Sequence, residues 1–407
     1  MSSQPTSFKT LSAQSTSFKT CDALSPFGTS IFAQMSQLAT EVGAINLSQG
    51  FPDFEGPSAI VDAAVHALRD GKNQYARSRG VVPLVEAIAS HQKRFYNLDV
   101  DPMTEVSCFN GATEGLAASL LGMLNPGDEV ILFEPFYDSY PALCALRGAI
   151  PKFVTLPFPD FHLDKEQLTS LFNDKTKLIL LNTPQNPTGK VFDKEELEFI
   201  AELCHRYDAY VLSDEVYEHL TYDGEKHLPM ACIDGMWDRT LTLSSSGKTW
   251  SFTGWKVGWA TGPAVLVDAA QSAHQYLTYS GAAPLQHAIA HAIENYSAPD
   301  GYIGELKAEY LARRDFLSEA LSEAGLKVAL PKGTYFVLAD FSEFFEGDDV
   351  EFAQWLAREH GVAAIPPSSF YAYDKEAGKK LVRFAFCKEM QTLEKAKAHL
   401  LAMAKSI

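Results

Sequence analysis

Short apolar runs rich in β-branched residues alternate with helix-like stretches from about residue 105 onward, and this alternation constrains the fold most strongly. Each run has the length and composition of a buried strand. Strands that alternate with helices predict an α/β fold, in which a mostly parallel seven-stranded sheet is sandwiched by helices. The predicted strands cover residues 106–110, 130–134, 152–156, 178–182, 210–214, 240–244 and 257–262.

Clusters of polar, glycine or proline residues follow five of these runs. In open α/β sheets, ligands bind beyond the carboxyl ends of the strands. Ordinary turns would explain one or two such clusters, but not an aromatic, an amide, an acid and a lysine at successive strand ends. We therefore predict one crevice bordered by all five clusters, at residues 111–113, 135–138, 182–187, 214–217 and 244–256.

Lys248 stands among small and hydroxyl residues in the sequence SSSGKTW, and Lys256 follows eight positions later. A lysine amine in such surroundings can hold an aldehyde cofactor by a Schiff base beside a phosphate site. A nucleotide-binding P-loop would require glycine where Thr242 stands, which excludes that interpretation. A surface lysine in a polar turn is the remaining alternative, and only the rest of the chain argues against it.

The net charge of −17 over 407 residues disfavours binding to nucleic acid or to anionic membranes. The sequence also has no apolar run long enough to cross a bilayer, so we expect small-molecule partners. Its six cysteines are scattered and form no C-x-x-C pair, which indicates neither a disulfide framework nor a zinc ribbon. This pattern favours a reducing compartment, and we expect a cytoplasmic protein.

The two ends of the chain differ in character from its centre. Residues 1–23 are rich in Ser and Thr and repeat the sequence TSFKT, which predicts a disordered tail. The alternative is a targeting segment for an organelle matrix, although such segments are usually rich in arginine and this one has none. We expect a large domain at residues 58–295, and a smaller α+β domain built from residues 24–57 and 296–407.

Eight motifs follow one another between Pro26 and the C-terminus, and together they are far more specific than any one alone. They are NLSQGFPDF, NQYA, GATEG, EPFYDSY, NTPQNPTGK, SDEVYEHL, SSSGKTWSFTGWKVGW and LVRFAFCK. In this order the chain resembles class I pyridoxal-phosphate aminotransferases, in the branch of kynurenine, glutamine and methionine aminotransferases and cysteine-conjugate β-lyases. The resemblance implies the PLP-transferase fold, pyridoxal 5'-phosphate as cofactor, and a homodimer with shared active sites.

The resemblance also assigns contacts to the cofactor ring. Lys248 would bond its aldehyde carbon, and Asp214 would hold its protonated nitrogen by a charge-assisted hydrogen bond. Tyr217 and Asn186 would donate hydrogen bonds to the ring phenolate, and Tyr137 would stack on the ring. Lys248, Asp214 and Tyr217 are thus the expected catalytic residues.

The expected phosphate site combines a helix N-terminus with side chains. The backbone N–H groups of Ala112 and Thr113 open an apolar helix and would bind the phosphate together with Ser245 and Lys256. Many relatives carry arginine where Lys256 stands, and lysine offers a point charge without the bidentate fork. Tyr75 resembles a tyrosine that reaches the phosphate from the partner subunit.

Arg383 lies within the apolar run LVRFAF, where a charge is costly unless it meets an anion. By the resemblance, that anion is the α-carboxylate of the substrate, with Asn186 and the backbone at Gly50 sharing it. The pair His287 and His291 could suggest a metal, but no carboxylate lies between them, and we predict no metal site.

The substrate side chain leaves several interpretations open. Tyr137, Phe51 and Tyr279 suggest a pocket for aromatic or sulfur-containing amino acids such as kynurenine or methionine, with glutamine also eligible. Arg77 and Arg79 could instead accept a second carboxylate, as in N-succinyl-diaminopimelate. A β-lyase acting on cysteine conjugates would use the same site and would need no 2-oxo acid acceptor.

Overall fold

The structure is a computed structural model that describes residues 19–343 and 345–405. The predicted tail lies outside the described residues, apart from its last five positions. The helices are α1 (Ile31–Val42), α2 (Ser58–Arg69), α3 (Val82–Tyr96), α4 (Ala112–Met123), α5 (Ser139–Arg147), α6 (Lys165–Leu171), α7 (Lys194–Tyr207), α8 (Ser246–Thr249), α9 (Ala264–Leu277), α10 (Ala283–Tyr296), α11 (Tyr302–Glu323), α12 (Asp349–His360) and α13 (Met390–Ala404). The strands are β1 (Ile45–Asn46), β2 (Val106–Asn110), β3 (Glu129–Glu134), β4 (Ile150–Thr155), β5 (Thr176–Asn182), β6 (Tyr210–Asp214), β7 (Thr240–Ser245), β8 (Val257–Thr261), β9 (Lys327–Ala329), β10 (Phe336–Asp340), β11 (Val362–Ala363) and β12 (Leu381–Ala385).

The seven predicted strands form one sheet in the order β2-β8-β7-β6-β5-β3-β4, which confirms the predicted α/β fold. Their ends differ from the predicted ends by at most two residues. Six strands run parallel, and β8 runs antiparallel to both of its neighbours.

Both faces of this sheet are covered by helices because successive side chains of its central strands are apolar and point to opposite sides. On one face, Ile179 and Leu181 of β5 pack with residues of α6 and α7. On the other face, Leu178 and Leu180 of the same strand pack with residues of α4, α5 and α9. The apolar runs in the sequence are therefore continuous because neither face of the sheet meets water.

The reversal of β8 determines which residues reach the edge where the parallel strands end. Asp214 ends β6 and Ser245 ends β7 at this edge. Because β8 runs the other way, its beginning lies there, with Gly258 paired to Ser245 and Val257 paired to Asn110. The residue just before β8, Lys256, is thereby brought to the same edge as the ends of its neighbours.

A smaller three-stranded antiparallel sheet, in the order β12-β10-β9, packs with α11 and α13 around a second apolar core. Strands β1 and β11 form a short parallel pair beside it. The predicted division into two domains stays a prediction. Among the described residues, no helix combines the length and the apolar character that crossing a membrane requires.

Candidate active site

A cleft of about 330 Å³ opens at the carboxyl edge of the large sheet. Its opposite wall carries Phe336 of β10 and Arg383 of β12. Eleven of the predicted site residues line it: Gly50, Ala112, Thr113, Tyr137, Asn186, Asp214, Tyr217, Ser245, Lys248, Lys256 and Arg383. Segments that are distant in sequence therefore meet in one cavity, as the strand-end argument predicted.

Lys248 projects into the cleft from α8, the single helical turn that follows β7. Its Nζ donates hydrogen bonds to the Tyr335 hydroxyl at 2.7 Å and to the Gly50 carbonyl at 3.3 Å. It also lies 5.5 Å from the centre of the Tyr217 ring. Burial lowers the pKa of Lys248 to about 8. A much larger fraction of this amine than of an ordinary lysine amine is therefore neutral, and nucleophilic, near neutral pH.

Asp214 is buried at the end of β6. Its Oδ2 accepts a hydrogen bond from the Tyr140 hydroxyl at 2.7 Å, while Oδ1 lies 3.4 Å from the backbone N–H of Val216. Burial raises the pKa of Asp214 to about 6, and the Tyr140 hydrogen bond acts in the opposite direction. A carboxylate desolvated in this way binds strongly to a cation that enters the cleft.

Tyr217 is buried three residues beyond Asp214, and its ring stands perpendicular to the Tyr335 ring at 5.2 Å. Burial raises the pKa of Tyr217, so the phenol keeps its proton and can act as a hydrogen-bond donor in the cleft. Tyr137 lies beside the cleft with its ring edge-on to Tyr140 at 5.6 Å.

Arg383 is buried, and no carboxylate of the described residues forms an ion pair with it. One Nη donates to Asn186 Oδ1 at 3.1 Å, and the other donates to the Ser48 carbonyl at 2.8 Å. Its Nε is buried without a hydrogen-bond partner among the described residues. Burial lowers the pKa of Arg383 to about 10. A carboxylate in the cleft would supply both the missing charge and a missing acceptor.

The N-terminus of α4 faces the same cleft through Ala112 and Thr113. The residue before it, Gly111, has φ of +79°, and a Cβ there would lie 3.0 Å from Cε of Lys256. The lysine side chain therefore lies directly against this helix end. Together with Ser245, these groups offer backbone N–H donors, a hydroxyl and a positive charge, the combination that anions bind.

Several predicted residues lie elsewhere in this single chain. Tyr75 is 86% exposed and contacts the Tyr279 ring at 5.6 Å, away from the cleft. Phe51 is also exposed, and its carbonyl accepts a hydrogen bond from Lys388. Gly50 does line the cleft, but its carbonyl faces Lys248 and Tyr335 instead of Arg383.

The two arginines that could have taken a second carboxylate are already engaged. Arg77 donates to the Met103 carbonyl at 2.9 Å. Arg79 donates to the Thr104 carbonyl at 2.9 Å and forms an ion pair with Asp268. Neither arginine is among the residues that line the cleft.

Sequence reasoning missed three groups of the site. Tyr140 binds Asp214, Tyr335 binds Lys248, and Ser48 binds Arg383 through its carbonyl. Tyr140 lies in the quoted motif EPFYDSY and Ser48 in NLSQGFPDF, whereas Tyr335 lies just before β10, outside the quoted motifs. The signal was present for Tyr140 and Ser48, but nothing in the sequence connected Tyr335 with Lys248.

A second buried cluster lies outside the cleft. His91, Glu218 and His219 bring potential metal-ligand atoms within 4.8 Å of one another. The two Nε2 atoms are 2.8 Å apart, the separation of a hydrogen bond, and Glu218 accepts hydrogen bonds from Tyr96 and Ser244. The two Nε2 atoms and the Glu218 carboxylate thus have hydrogen-bond partners, whereas Nδ1 of His91 is buried without one among the described residues. The pair considered from sequence, His287 and His291, lies on α10 and is not part of this cluster.

Comparison with known proteins agrees with this geometry. The sequence matches the family described as Aminotransferase class I and II over residues 42–400. It is 42% identical to the kynurenine–oxoglutarate transaminase of Dictyostelium discoideum, over 94% of this chain and 95% of that protein. The structure of N-succinyldiaminopimelate aminotransferase from Mycobacterium tuberculosis superposes with a TM-score of 0.91 at 44% identity, covering 95% of this chain and 100% of that one. YbdL from Escherichia coli, whose structure is described as identifying a methionine aminotransferase function, has a TM-score of 0.90 at 40% identity, with coverage of 95% and 100%. The chain belongs to the class I and II aminotransferases and is an aminotransferase.

Proposed function

We propose that this aminotransferase binds pyridoxal 5'-phosphate through Lys248 and moves the α-amino group of an aromatic or sulfur-containing L-amino acid to a 2-oxo acid. The observation that carries the proposal is the grouping of Lys248, Asp214, Arg383 and the N-terminus of α4 around one cleft. Each of these groups matches a different part of the cofactor or substrate.

The residues of the cleft fit this cofactor. Asp214 has an oxygen with no short hydrogen bond and would hold the protonated ring nitrogen. Tyr217, which keeps its proton, and Asn186 would donate to the ring oxygen. The N–H groups at the start of α4, with Ser245 and Lys256, would hold the phosphate. When bound, pyridoxal phosphate supplies an aldehyde that exchanges amines and a ring that delocalises electrons from a broken Cα–H bond.

The chain's own residues would then move protons and orient the substrate. Arg383 binds the substrate α-carboxylate with its fork of donors, which fixes the orientation of the amino acid. The Lys248 amine, whose pKa burial lowers to about 8, would take the proton from the substrate Cα and deliver it to the carbon that carries the cofactor's aldehyde. Asp214 keeps the ring nitrogen charged throughout.

The charges of the cleft support an uncharged substrate side chain. The cations that line it are Lys248, Lys256 and Arg383, and each already has a proposed role. The remaining walls near Arg383 are aromatic, since the rings of Phe32 and Phe336 lie 5.1 Å and 4.1 Å from its guanidinium. Among the described residues, no further cation lines the cleft for a second substrate carboxylate, whereas a ring or a thioether would pack on these aromatic walls.

We also propose a homodimer in a reducing compartment, the cytoplasm. Tyr75 and Tyr276 are each 86% exposed in one chain, which is unusual for large aromatic side chains and supports a partner surface there. The six cysteines are free, and this state supports a reducing environment.

The variant Lys248→Ala tests the covalent role of the lysine. We expect turnover to fall roughly 10,000-fold, because both the amine that bonds the cofactor and the proton-transfer base are lost. Borohydride reduction of the wild-type holoenzyme, followed by peptide mapping, should place the pyridoxyl group on Lys248. The matched control Lys256→Ala should keep that label while binding the cofactor more weakly. A label on another lysine would contradict the proposal.

Donor preference tests the substrate class. Kynurenine, methionine and phenylalanine, each with 2-oxoglutarate or pyruvate, should give a higher kcat/KM than N-succinyl-LL-diaminopimelate. The physical reason is that every cation among the described residues that line the cleft already has a proposed role. A preference for the succinylated dicarboxylate would overturn the substrate assignment while leaving the aminotransferase activity intact. Release of ammonia and pyruvate from cysteine conjugates without an added 2-oxo acid would instead identify β-elimination.

A further inference from the structure

Tyr335 immediately precedes β10, and its side chain is fully buried beneath the cleft. Its hydroxyl donates to the Gly50 carbonyl at 2.6 Å and receives the hydrogen bond from Lys248 Nζ at 2.7 Å. Lys248 also reaches the same carbonyl at 3.3 Å. The three groups thus form a closed triangle that joins α8, the loop before α2 and the small sheet.

The direction of these hydrogen bonds follows from the groups themselves. A carbonyl can only accept, so the Tyr335 proton points to Gly50. The oxygen of Tyr335 then turns its lone pairs toward Lys248 and accepts from the amine. Burial raises the pKa of Tyr335, which keeps this proton in place across the working pH range.

The Tyr335 ring has little freedom to move. It stands perpendicular to the Tyr217 ring at 5.2 Å, lies 4.8 Å from the Phe336 ring and 5.8 Å from the Tyr310 ring. The Thr334 carbonyl just before it accepts a hydrogen bond from the Tyr222 hydroxyl at 2.6 Å. The Tyr335 hydroxyl is therefore held in place by the packing of its ring and by the hydrogen bond that anchors the preceding residue, Thr334.

We propose that Tyr335 is a positioning residue for transamination, whose hydroxyl holds the Lys248 amine in the cleft beside Tyr217 whenever that amine is not bonded to the cofactor. A free lysine side chain has many rotamers, and a fixed acceptor at the end of the chain selects among them. The amine that would take the Cα proton and pass it to the cofactor is thereby kept close to the reacting atoms. This inference rests on the proposed function, because it takes Lys248 as the lysine that bonds the cofactor.

The variant Tyr335→Phe removes the hydroxyl and keeps the ring. We expect kcat to fall about 10-fold, the effect of one lost hydrogen bond to a charged group, with KM changed less than about twofold. KM should stay nearly unchanged because Arg383 and Asn186, which bind the carboxylate in the proposed function, are not altered. Borohydride should still label Lys248 in this variant. Labelling of a different lysine would refute the proposed function itself. Failure of the proposed function can thus be distinguished from failure of the positioning role of Tyr335.

A second measurement uses the cofactor-free protein. Lys248 is acetylated with a trace amount of reagent at a series of pH values, and the extent of reaction is followed by mass spectrometry. The midpoint of this pH dependence reports the pKa of the Lys248 amine. Because the Tyr335 oxygen stabilises the ammonium form as an acceptor, the midpoint should move to lower pH in Tyr335→Phe. An unchanged midpoint together with a kcat within about twofold of wild type would overturn the proposal.

Two neighbouring tyrosines serve as controls for the loss of a buried hydroxyl. Tyr310 packs in the same cluster, and its hydroxyl has no hydrogen-bond partner among the described residues, so Tyr310→Phe should change neither kcat nor the Lys248 midpoint. Tyr222→Phe loses the bond to Thr334 and should lower thermal stability. If Tyr335→Phe resembled Tyr222→Phe, with lower stability but an unshifted midpoint, its role would be structural and the proposal would be wrong.

Discussion

At the scale of single residues, the cleft holds ionisable groups whose charged forms are disfavoured by burial. The pKa of Asp214 is raised to about 6, and that of Lys248 is lowered to about 8, with desolvation the largest cause in both cases. Buried groups with shifted pKa values are typical of sites that bind charged ligands. The cofactor-free protein therefore carries a stability cost that a cationic ring nitrogen beside Asp214 would relieve.

The variant Asp214→Asn tests whether the buried, ionised carboxylate lowers the stability of the cofactor-free protein. Folded Asp214 keeps its proton up to about pH 6, whereas the unfolded chain loses it near the ordinary pKa of 3.8. The folded state binds more protons over this interval, so its stability falls as the pH rises through it. We expect cofactor-free Asp214→Asn to unfold at a higher temperature than wild type at pH 8, with the difference much smaller at pH 4. Activity should fall at least roughly 100-fold, because the ring nitrogen loses its charged partner.

Thermal unfolding of the two cofactor-free proteins at both pH values provides the measurement. A variant that is less stable than wild type at pH 8 would show that the buried carboxylate is stabilised by contacts within the chain. In that case the hydrogen bond from Tyr140 would outweigh the desolvation of Asp214.

At the scale of secondary-structure elements, the phosphate site depends on the contact between the start of α4 and the residue that precedes β8. Gly111 lets the backbone adopt φ of +79° and leaves room for the Lys256 side chain. Gly258 allows a similar close approach, since a Cβ there would lie 2.5 Å from the backbone nitrogen of Ala112. The helix end and the lysine thus meet because two glycines have no side chains.

Replacement of Gly111 by Ala tests this arrangement. The new methyl group would lie 3.0 Å from Cε of Lys256, so the flexible lysine would move away from the helix end. We expect cofactor affinity to fall roughly 10-fold, as expected for a weakened charge-assisted contact. The matched control is Gly127→Ala, because Gly127 also has a positive φ, of +91°, but no atom within 4 Å of a Cβ.

Both alanine variants carry the backbone strain of a positive φ, and both should lose thermal stability. Only Gly111→Ala should bind the cofactor more weakly, as measured by titration of the cofactor-free protein. Equal affinities in the two variants would exclude a role for the Lys256 contact in phosphate binding.

At the scale of the whole molecule, the proposed homodimer would complete each cleft with a residue of the second chain. Tyr75 and Tyr279 pack against each other on the surface, next to the segment 280–284 and away from the cleft of their own chain. If Tyr75 acts at all in the reaction, it therefore acts in a neighbouring subunit's cleft, as the proposed homodimer requires.

Mixed dimers of two defective variants test this arrangement. We expect Tyr75→Ala and Lys248→Ala each to be impaired alone. In a mixed dimer, one cleft would combine both defects, while the other would contain an intact Lys248 from one chain and an intact Tyr75 from its partner. Co-refolding of equal amounts should therefore restore activity to about a quarter of the wild-type value, since half of the dimers are mixed and half of their sites are intact. Activity no higher than the mean of the separate variants would place Tyr75 outside the partner's site.

The prediction from sequence was strongest where the signal was local. The strands follow from short apolar runs, and the site residues follow from the polar clusters at the ends of those runs, as with Asp214 after β6 and Asn186 after β5. The structure brings most of the predicted site residues to one cleft, whereas Tyr75 and Phe51 lie outside its lining, and the roles of all of them stay predictions. The orientation of Gly50 was not predicted, because a backbone carbonyl has no sequence signature.

By itself, the sequence determined which segments become strands, which residues stand at their ends and which family the motifs indicate, because hydrophobic period and turn chemistry act between near neighbours. Only the tertiary structure decided the reversal of β8, which brings Lys256 to the helix end, and the contacts of Arg383 with Asn186, 197 positions away. It alone also joined Tyr335 to Lys248, 87 positions apart. Such contacts depend on how whole elements pack against one another, and a hydrogen bond between distant positions leaves no periodic pattern in the chain.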